Sequence, residues 1–197
     1  KGETEETDIA AQKESEKNLT FEYQAHEHNV CLVEMDETPP QQINKEALHT
    51  AIIIARLLNA QIVDAVQVMR KTVIDGSNTA GFQRTALIAR NGWIQIENKK
   101  VGIQTIVLEE DAARIIKQTP ETTVYRLDRL GIPLIEIATE PNIESPQECK
   151  QVAETIGLLL RSTKVKRGIG TIRQDINISI AGGARVEIKG AQDLATL

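Results

Sequence analysis

"TALIARNGWIQIE", residues 85–97, decides how the chain is read. Two apolar-rich runs, 85–89 and 93–97, flank Asn91-Gly92. Asn-Gly suits the positive φ angles of a two-residue turn, so the stretch predicts a β-hairpin and antiparallel pairing.

Working toward the amino terminus, "RKTVIDGSNTAGFQRT" (70–85) packs cations, amides and hydroxyls onto a segment hinged by Gly76 and Gly81. A surface turn needs only two or three such groups, so the excess predicts a ligand-holding loop between two strands. The β-branched run "IVDAVQVM" (62–69) leads into it. Before that, Asn44 is placed to cap a helix whose apolar positions Ala47, Leu48, Ala51, Ile52, Ala55 and Leu58 recur at helical spacing. "FEYQAHEHNVCLVEMDE" (21–37) reads as strand, and "TPPQQ" (38–42) as a breaker. Residues 1–18 read as a flexible charged lead-in, with at most a helical turn near Ile9–Ala11.

Toward the carboxyl terminus, "VGIQTIVLEED" (101–111) and "IPLIEIATE" (132–140) read as strands. Ser145-Pro146-Gln147-Glu148 is a capping box with Pro at the first helical position. The helix it starts is predicted to reach about Arg161, with Val152, Ile156, Leu159 and Leu160 inward. "TIRQDINISI" (171–180) and "ARVEIK" (184–189) are two strands joined through Ala181-Gly182-Gly183. Hairpins mixed with a few helices predict an α+β fold, a mostly antiparallel sheet with helices packed on one side. Residues 19–197 are read as one partial domain that continues beyond "GAQDLATL".

The bulk numbers exclude several classes. Aromatic residues make up 3%, so the core must be aliphatic, and a base-stacking surface for single-stranded nucleic acid is disfavoured. A net charge of −5 gives no global attraction to a phosphate backbone. Cys31 and Cys149 lie far apart without a C-x-x-C pair, which fits a reducing compartment. No apolar run is long enough to span a bilayer, and the first residues are charged, so a cytoplasmic protein without membrane contact is expected.

Strand alternation then sorts faces. Ile172, Gln174, Ile176, Ile178 and Ile180 take one face of their strand; Thr171, Arg173, Asp175, Asn177 and Ser179 take the other. Val186 and Ile188 point inward, opposite Arg185, Glu187 and Lys189. Glu136 lies between Ile135 and Ile137, where a buried acid is expensive unless it binds something. With "LEED" (108–111) and the glycine loop, these acids suggest Mg²⁺, which takes one or two carboxylates from protein and the rest from phosphates. Arg70, Lys71, Arg84 and Arg173 are the cations available to meet those phosphates. A solvated polar sheet face remains the alternative. His26 and His28 lack a third ligand in register and read as an exposed pair. Gly168-Ile169-Gly170 is a glycine turn, not a dinucleotide fingerprint, and no P-loop or Gly-x-Ser-x-Gly elbow occurs.

Five ordered motifs, "VMRKTVIDGSNTAGFQRT", "LEEDAAR", "RLGIPLIEIATEP", "RGIGTIRQDINISI" and "ARVEIKGAQDL", closely resemble the GatB/GatE family, and within it the E-type chains of archaeal Glu-tRNA(Gln) amidotransferases. The likeness spans about residues 20–197. It implies part of a catalytic core of the glutamine synthetase kind, whose polar sheet face holds ATP and Mg²⁺. It further implies phosphorylation of the glutamate γ-carboxylate on Glu-tRNA(Gln), then amidation by ammonia from an asparaginase-like D subunit within a hetero-oligomer.

Matched residue by residue, the resemblance assigns Lys71 to nucleotide or phosphate, and Glu110 and Glu136 to Mg²⁺. Arg70, Ser77, Asn78 and Arg84 belong to the phosphate-holding loop, and Arg173, Asp175, Glu187 and Lys189 lie in matching motifs. The family's amino-terminal Gly-Leu-Glu-x-His-type motif, inserted domain and tRNA-contacting helical tail are not in this sequence. The chain is therefore expected to be inactive alone and to meet tRNA mainly through other regions. The competing expectation is a non-catalytic scaffold that docks tRNA or the D subunit.

Overall fold

A computed structural model describes residues 9–28, 30–33, 37–39, 41–71 and 83–191, with Ala11, Arg70, Lys71 and Gln83 given by backbone alone. The elements in order are α1 (Ile9–Ser15), β1 (Thr20–Gln24), α2 (Lys45–Leu57), β2 (Gln61–Ile62), β3 (Val68–Lys71), β4 (Gln83–Ile96) and β5 (Lys99–Glu110). They continue with β6 (Arg114–Gln118), β7 (Thr122–Arg126), β8 (Pro133–Thr139), α3 (Pro146–Arg161), β9 (Ile176–Ile178) and β10 (Val186–Ile188). The mixture is α+β with mainly antiparallel pairing, as the sequence predicts. β1 pairs with β7 in parallel.

The expected hairpin turn at Asn91-Gly92 is not there. β4 runs straight through both residues, and the chain reverses at Glu97-Asn98, six residues later. Asn91 does take a positive φ of 54°, but inside the strand, where that angle fits a bulge. Parity requires one: if Ile96 faces Lys99 across the two-residue turn, Thr85 and Glu109 fall on opposite faces. Yet their side chains meet, Thr85 Oγ1 to Glu109 Oε1 at 3.2 Å. One extra residue in β4 restores the alignment, which is what a bulge supplies. Gly92 beside it is forced by packing, since a Cβ there would lie 2.6 Å from the Leu58 carbonyl oxygen and 2.9 Å from the Ala60 Cβ.

The chain divides into two compact units. One comprises Lys1–Ala47, Ala65–Leu87 and Val107–Glu136. Its three-stranded sheet has the order β1-β7-β6. Thr123, Val124 and Tyr125 are consecutive and all buried, so β7 is covered on both faces. Tyr125 sits opposite Tyr23 in the parallel register and the rings stack at 6.0 Å; Phe21 lies 6.3 Å away. The aliphatic core expected from composition thus has an aromatic exception. β6 is exposed along its length, and its register shifts between Ile115 and Lys117, which blunts the sheet edge. In this unit β3 pairs antiparallel with β4, Arg70 opposite Arg84 and Lys71 opposite Gln83. The glycine loop therefore has the two flanking strands it was expected to have, although residues 72–82 lie outside the described residues.

The other unit comprises Leu48–Asp64, Ile88–Ile106 and Ile137–Leu197. Its core is aliphatic: Ala51, Ile54, Ala55 and Leu58 are buried, as are Ile88, Ile94, Val101, Ile103, Ile106 and Val152. Ile54 takes the inward place expected of Ile52, which is only half-buried. α3 starts as predicted: Ser145 Oγ accepts from the Glu148 N–H at 3.1 Å with Pro146 in the first turn. Glu148 closes the box one residue early, accepting from Glu144 N at 2.9 Å. β9 and β10 pair antiparallel, Ile176 with Ile188 and Ile178 with Val186, but span three residues each instead of the longer strands expected. Val186 and Ile188 are exposed here, contrary to their inward assignment, and so are Ile178 and Ile180 on the apolar face of their strand.

Candidate functional site

Asn44 opens the site. Its Oδ1 accepts from Ala47 N at 2.9 Å, capping α2 as expected. Across from it, the parity set by the bulge brings Arg84 of β4 against Glu110, the last residue of β5. Arg84 Nε donates to Glu110 Oε2 at 2.7 Å, and Nη2 donates to Oε1. The third nitrogen, Nη1, donates to the Gln41 carbonyl at 2.5 Å. The pair is bidentate and three-quarters or more buried, with side chains 18% and 24% exposed. The Arg84 pKa is raised chiefly by its hydrogen bond to Glu110, against the opposing effect of burial.

One residue on, Asp111 is held from every side. Its Oδ2 accepts from Arg129 Nε at 3.0 Å, and its Oδ1 accepts from Ala112 N at 2.9 Å. Its backbone N–H donates to Ile132 O and its carbonyl accepts from Gly131 N, at 2.8 and 2.9 Å. Gly131 has a φ of 80°, the left-handed conformation that lets the loop before β8 turn back onto Asp111. The acid run that reads in sequence as a cation site is in part a structural clasp. Arg129 is the partner that sequence reasoning misses; only its place in "RLGIPLIEIATEP" hints at it.

A shallow cleft, with room for little more than a water molecule, opens beside the Arg84–Glu110 pair. Its apolar wall includes Ile43, Val68, Ala86 and Leu108, with Asn44, Arg84, Glu109 and Glu110 as the polar groups.

The structure places the other predicted residues as follows. Arg70 and Lys71 are on β3, adjacent in the ladder to the strand that carries Arg84. Glu136 is on β8 in the same unit and is exposed. Ser77 and Asn78 lie outside the described residues. Arg173, Asp175, Glu187 and Lys189 all belong to the other unit. There, Asp175 Oδ1 accepts from Gly190 N at 3.1 Å, tying the start of β9 to the end of β10. Lys189 Nζ lies 3.5 Å from Glu187 Oε2, and both are solvent-facing. His26 and His28 are exposed and outside any strand.

Among the described residues, no three His, Cys, Asp or Glu side chains converge as a metal cluster. The oxygen donors of Glu110 and Glu136 are chemically right for Mg²⁺, which needs few protein ligands. Both Glu110 oxygens, however, are engaged by Arg84. A cation at Glu110 would require the guanidinium to release at least one of them. No helix among the described residues is long and apolar enough to cross a membrane.

Comparison with known proteins gives a consistent result. The family described as the GatB/GatE catalytic domain matches residues 8–197. The E chain of the glutamyl-tRNA(Gln) amidotransferase of Archaeoglobus fulgidus is 56% identical over 198 residues, covering 100% of this chain and 32% of that protein. The protein of the same name from Aeropyrum pernix is 58% identical, covering 98% of this chain and 30% of its own length. The one from Methanobrevibacter smithii is 56% identical, again across 30% of its length. The chain thus spans just under a third of the curated relatives it matches. With the match running across nearly every residue, the chain belongs to the GatB/GatE catalytic-domain family.

Proposed function

We propose that this chain is part of the catalytic core of an ATP-dependent amidotransferase that converts Glu-tRNA(Gln) to Gln-tRNA(Gln), with a polar-faced sheet of the glutamine synthetase kind. The observation that carries the reading is the family match over residues 8–197. The reaction has to activate a carboxylate, which is a poor acyl donor. Phosphorylation of the γ-carboxylate makes its oxygen a leaving group, and ammonia then displaces phosphate. In this reading ammonia comes from an asparaginase-like D subunit in a cytoplasmic hetero-oligomer.

The chain's own residues bind and orient. Arg70 and Lys71 end β3, and Arg84 stands on the paired strand, so these residues flank the 72–82 segment on both sides. Ser77 and Asn78 in that loop are assigned to the same phosphates. Glu110 and Glu136 would hold Mg²⁺, which when bound neutralises charge on the transferring phosphoryl group. Glu110 can do so by exchanging one oxygen from Arg84, which would leave that guanidinium free to meet phosphate. Arg173, Asp175, Glu187 and Lys189 are assigned to the nucleotide side of the reaction.

A second reading is favoured by one observation: Arg84 and Glu110 already satisfy each other. On that reading the segment is a scaffold that docks tRNA or the D subunit. Titration calorimetry with ATP, with and without Mg²⁺, separates the two on the parent, Lys71→Ala and Glu136→Ala. Mg²⁺-dependent binding that disappears in both variants is expected. Binding untouched by either change would remove the catalytic reading and leave the scaffold.

A further inference from the structure

The twenty residues 155–174 hold five cations and no acid, in a chain whose net charge is −5. Four of the five, Arg161, Lys164, Lys166 and Arg167, fall within seven residues at and just beyond the end of α3. All four are exposed. Cations gather at helix carboxyl ends because the last carbonyls attract them. That explanation serves Arg167, whose Nη2 donates to Arg161 O at 2.8 Å. Lys164 and Lys166 have no acid partner within 4 Å and no hydrogen bond among the described residues, so local structure accounts for neither.

The segment is also shaped. Gly168 and Gly170 have φ angles of 136° and 77°, and Thr171 Oγ1 donates back to Gly168 O at 2.8 Å. Between the two glycines Ile169 is wholly exposed, its side chain at the tip of the turn. A single phosphate would use clustered donors and has no use for an apolar tip. A polyanion with sugar and base surfaces between its charges uses both.

We infer that the Arg161–Gly170 segment binds the backbone of an RNA duplex, with Lys164, Lys166 and Arg167 on phosphates and Ile169 against ribose or the end of the helix. The inference deepens the reading above and rests on it for the identity of the RNA, tRNA(Gln). It also puts an RNA contact on a chain that is acidic in total, where charge totals alone argue against one.

The test uses the full-length protein in its native assembly and unacylated tRNA(Gln), with fluorescence anisotropy read across a salt series. Lys164→Gln/Lys166→Gln/Arg167→Gln is expected to weaken binding by about tenfold or more and to flatten log Kd against log salt by about two to three. Lys45→Gln/Arg56→Gln/Arg90→Gln removes the same charge from other exposed positions and is expected to change binding little. Ile169→Ala is expected to weaken binding without altering the salt slope. Circular dichroism melting verifies that each variant is folded, and the exposed single changes stand in for any triple variant that is not. Equal losses in the two triple variants, or none in either, would overturn the inference while leaving the amidotransferase reading intact. A parent assembly that does not bind tRNA(Gln) at all sinks the reading and the inference together.

Discussion

Arg84 and Glu110, twenty-six residues apart, close the ends of β4 and β5 with a bidentate ion pair whose third nitrogen is anchored on the Gln41 carbonyl. By sequence alone these two residues take separate ligands, a phosphate and a cation. In the structure each is the other's partner. The pair is therefore either a fixed strut or a gate that opens when phosphate and cation arrive together, and a double-mutant cycle separates those roles.

Breaking the pair strands a largely buried charge. Arg84→Ala and Glu110→Gln are each expected to cost about 1–3 kcal/mol in chemical denaturation, because the remaining partner keeps its desolvation cost. The double variant should cost clearly less than their sum, with a coupling of about 1–2 kcal/mol. If the pair is a gate, Arg84→Ala leaves Mg²⁺-dependent ATP binding at least partly in place, whereas Glu110→Gln removes its dependence on Mg²⁺. Identical nucleotide binding in parent and both single variants would identify a strut.

Two glycines in the aliphatic unit make opposite predictions. A Cβ on Gly92 meets the backbone oxygen of Leu58 at 2.6 Å, and backbone cannot swing aside. Gly92→Ala is expected to destabilise by about 1–3 kcal/mol through overpacking. A Cβ on Gly102 comes closer still, 2.4 Å, but to the carboxylate end of the Glu140 side chain. That side chain is exposed and free to rotate away, so Gly102→Ala is expected to change stability by only about 0.5 kcal/mol, the size typical of surface substitutions. Urea midpoints of the two variants measured side by side decide the matter; equal shifts would mean the bulge does not hold the approach to Leu58.

Gly92 also shows where the sequence is legible and where it is not. Caps can be read because their chemistry is local: Asn44 and Ser145 each bond a backbone N–H three residues on. Asn91-Gly92 reads as a turn because a turn and a bulge ask the same positive φ of Asn. The choice is made by Leu58 and Ala60, over thirty positions away. β7 escapes a sequence reading for a related reason. Its burial comes from parallel pairing with β1, about a hundred residues distant, and from stacking of Tyr125 on Tyr23. The acids of "LEED" stand out correctly as a cluster, but sequence holds no mark that Arg84 and Arg129 would claim two of them.

The start of α3 carries a pH dependence of definite sign. Lys99 Nζ lies 2.9 Å from Glu148 Oε1 and 3.5 Å from Glu144 Oε2. The Glu144 backbone N–H, and then Lys99, hold the Glu148 carboxyl below its ordinary pKa. A lowered carboxylate pKa contributes stability above its unfolded value, and that contribution fades as pH falls through the folded value. The Lys99 pKa is raised, first by Glu148, so its contribution is complete below the unfolded lysine value and fades only as pH rises through the folded one. Between the two ranges both contributions are present. Glu148→Gln keeps an oxygen for the Glu144 N–H and removes only the charge. The gap in melting temperature between parent and Glu148→Gln should thus be widest near neutral pH and close as the solution is acidified past the carboxylate range. Lys99→Met should lose the alkaline dependence instead. A gap for Glu148→Gln that stays constant from pH 7 to pH 3 would mean the carboxylate acts at the cap by shape alone and not by charge.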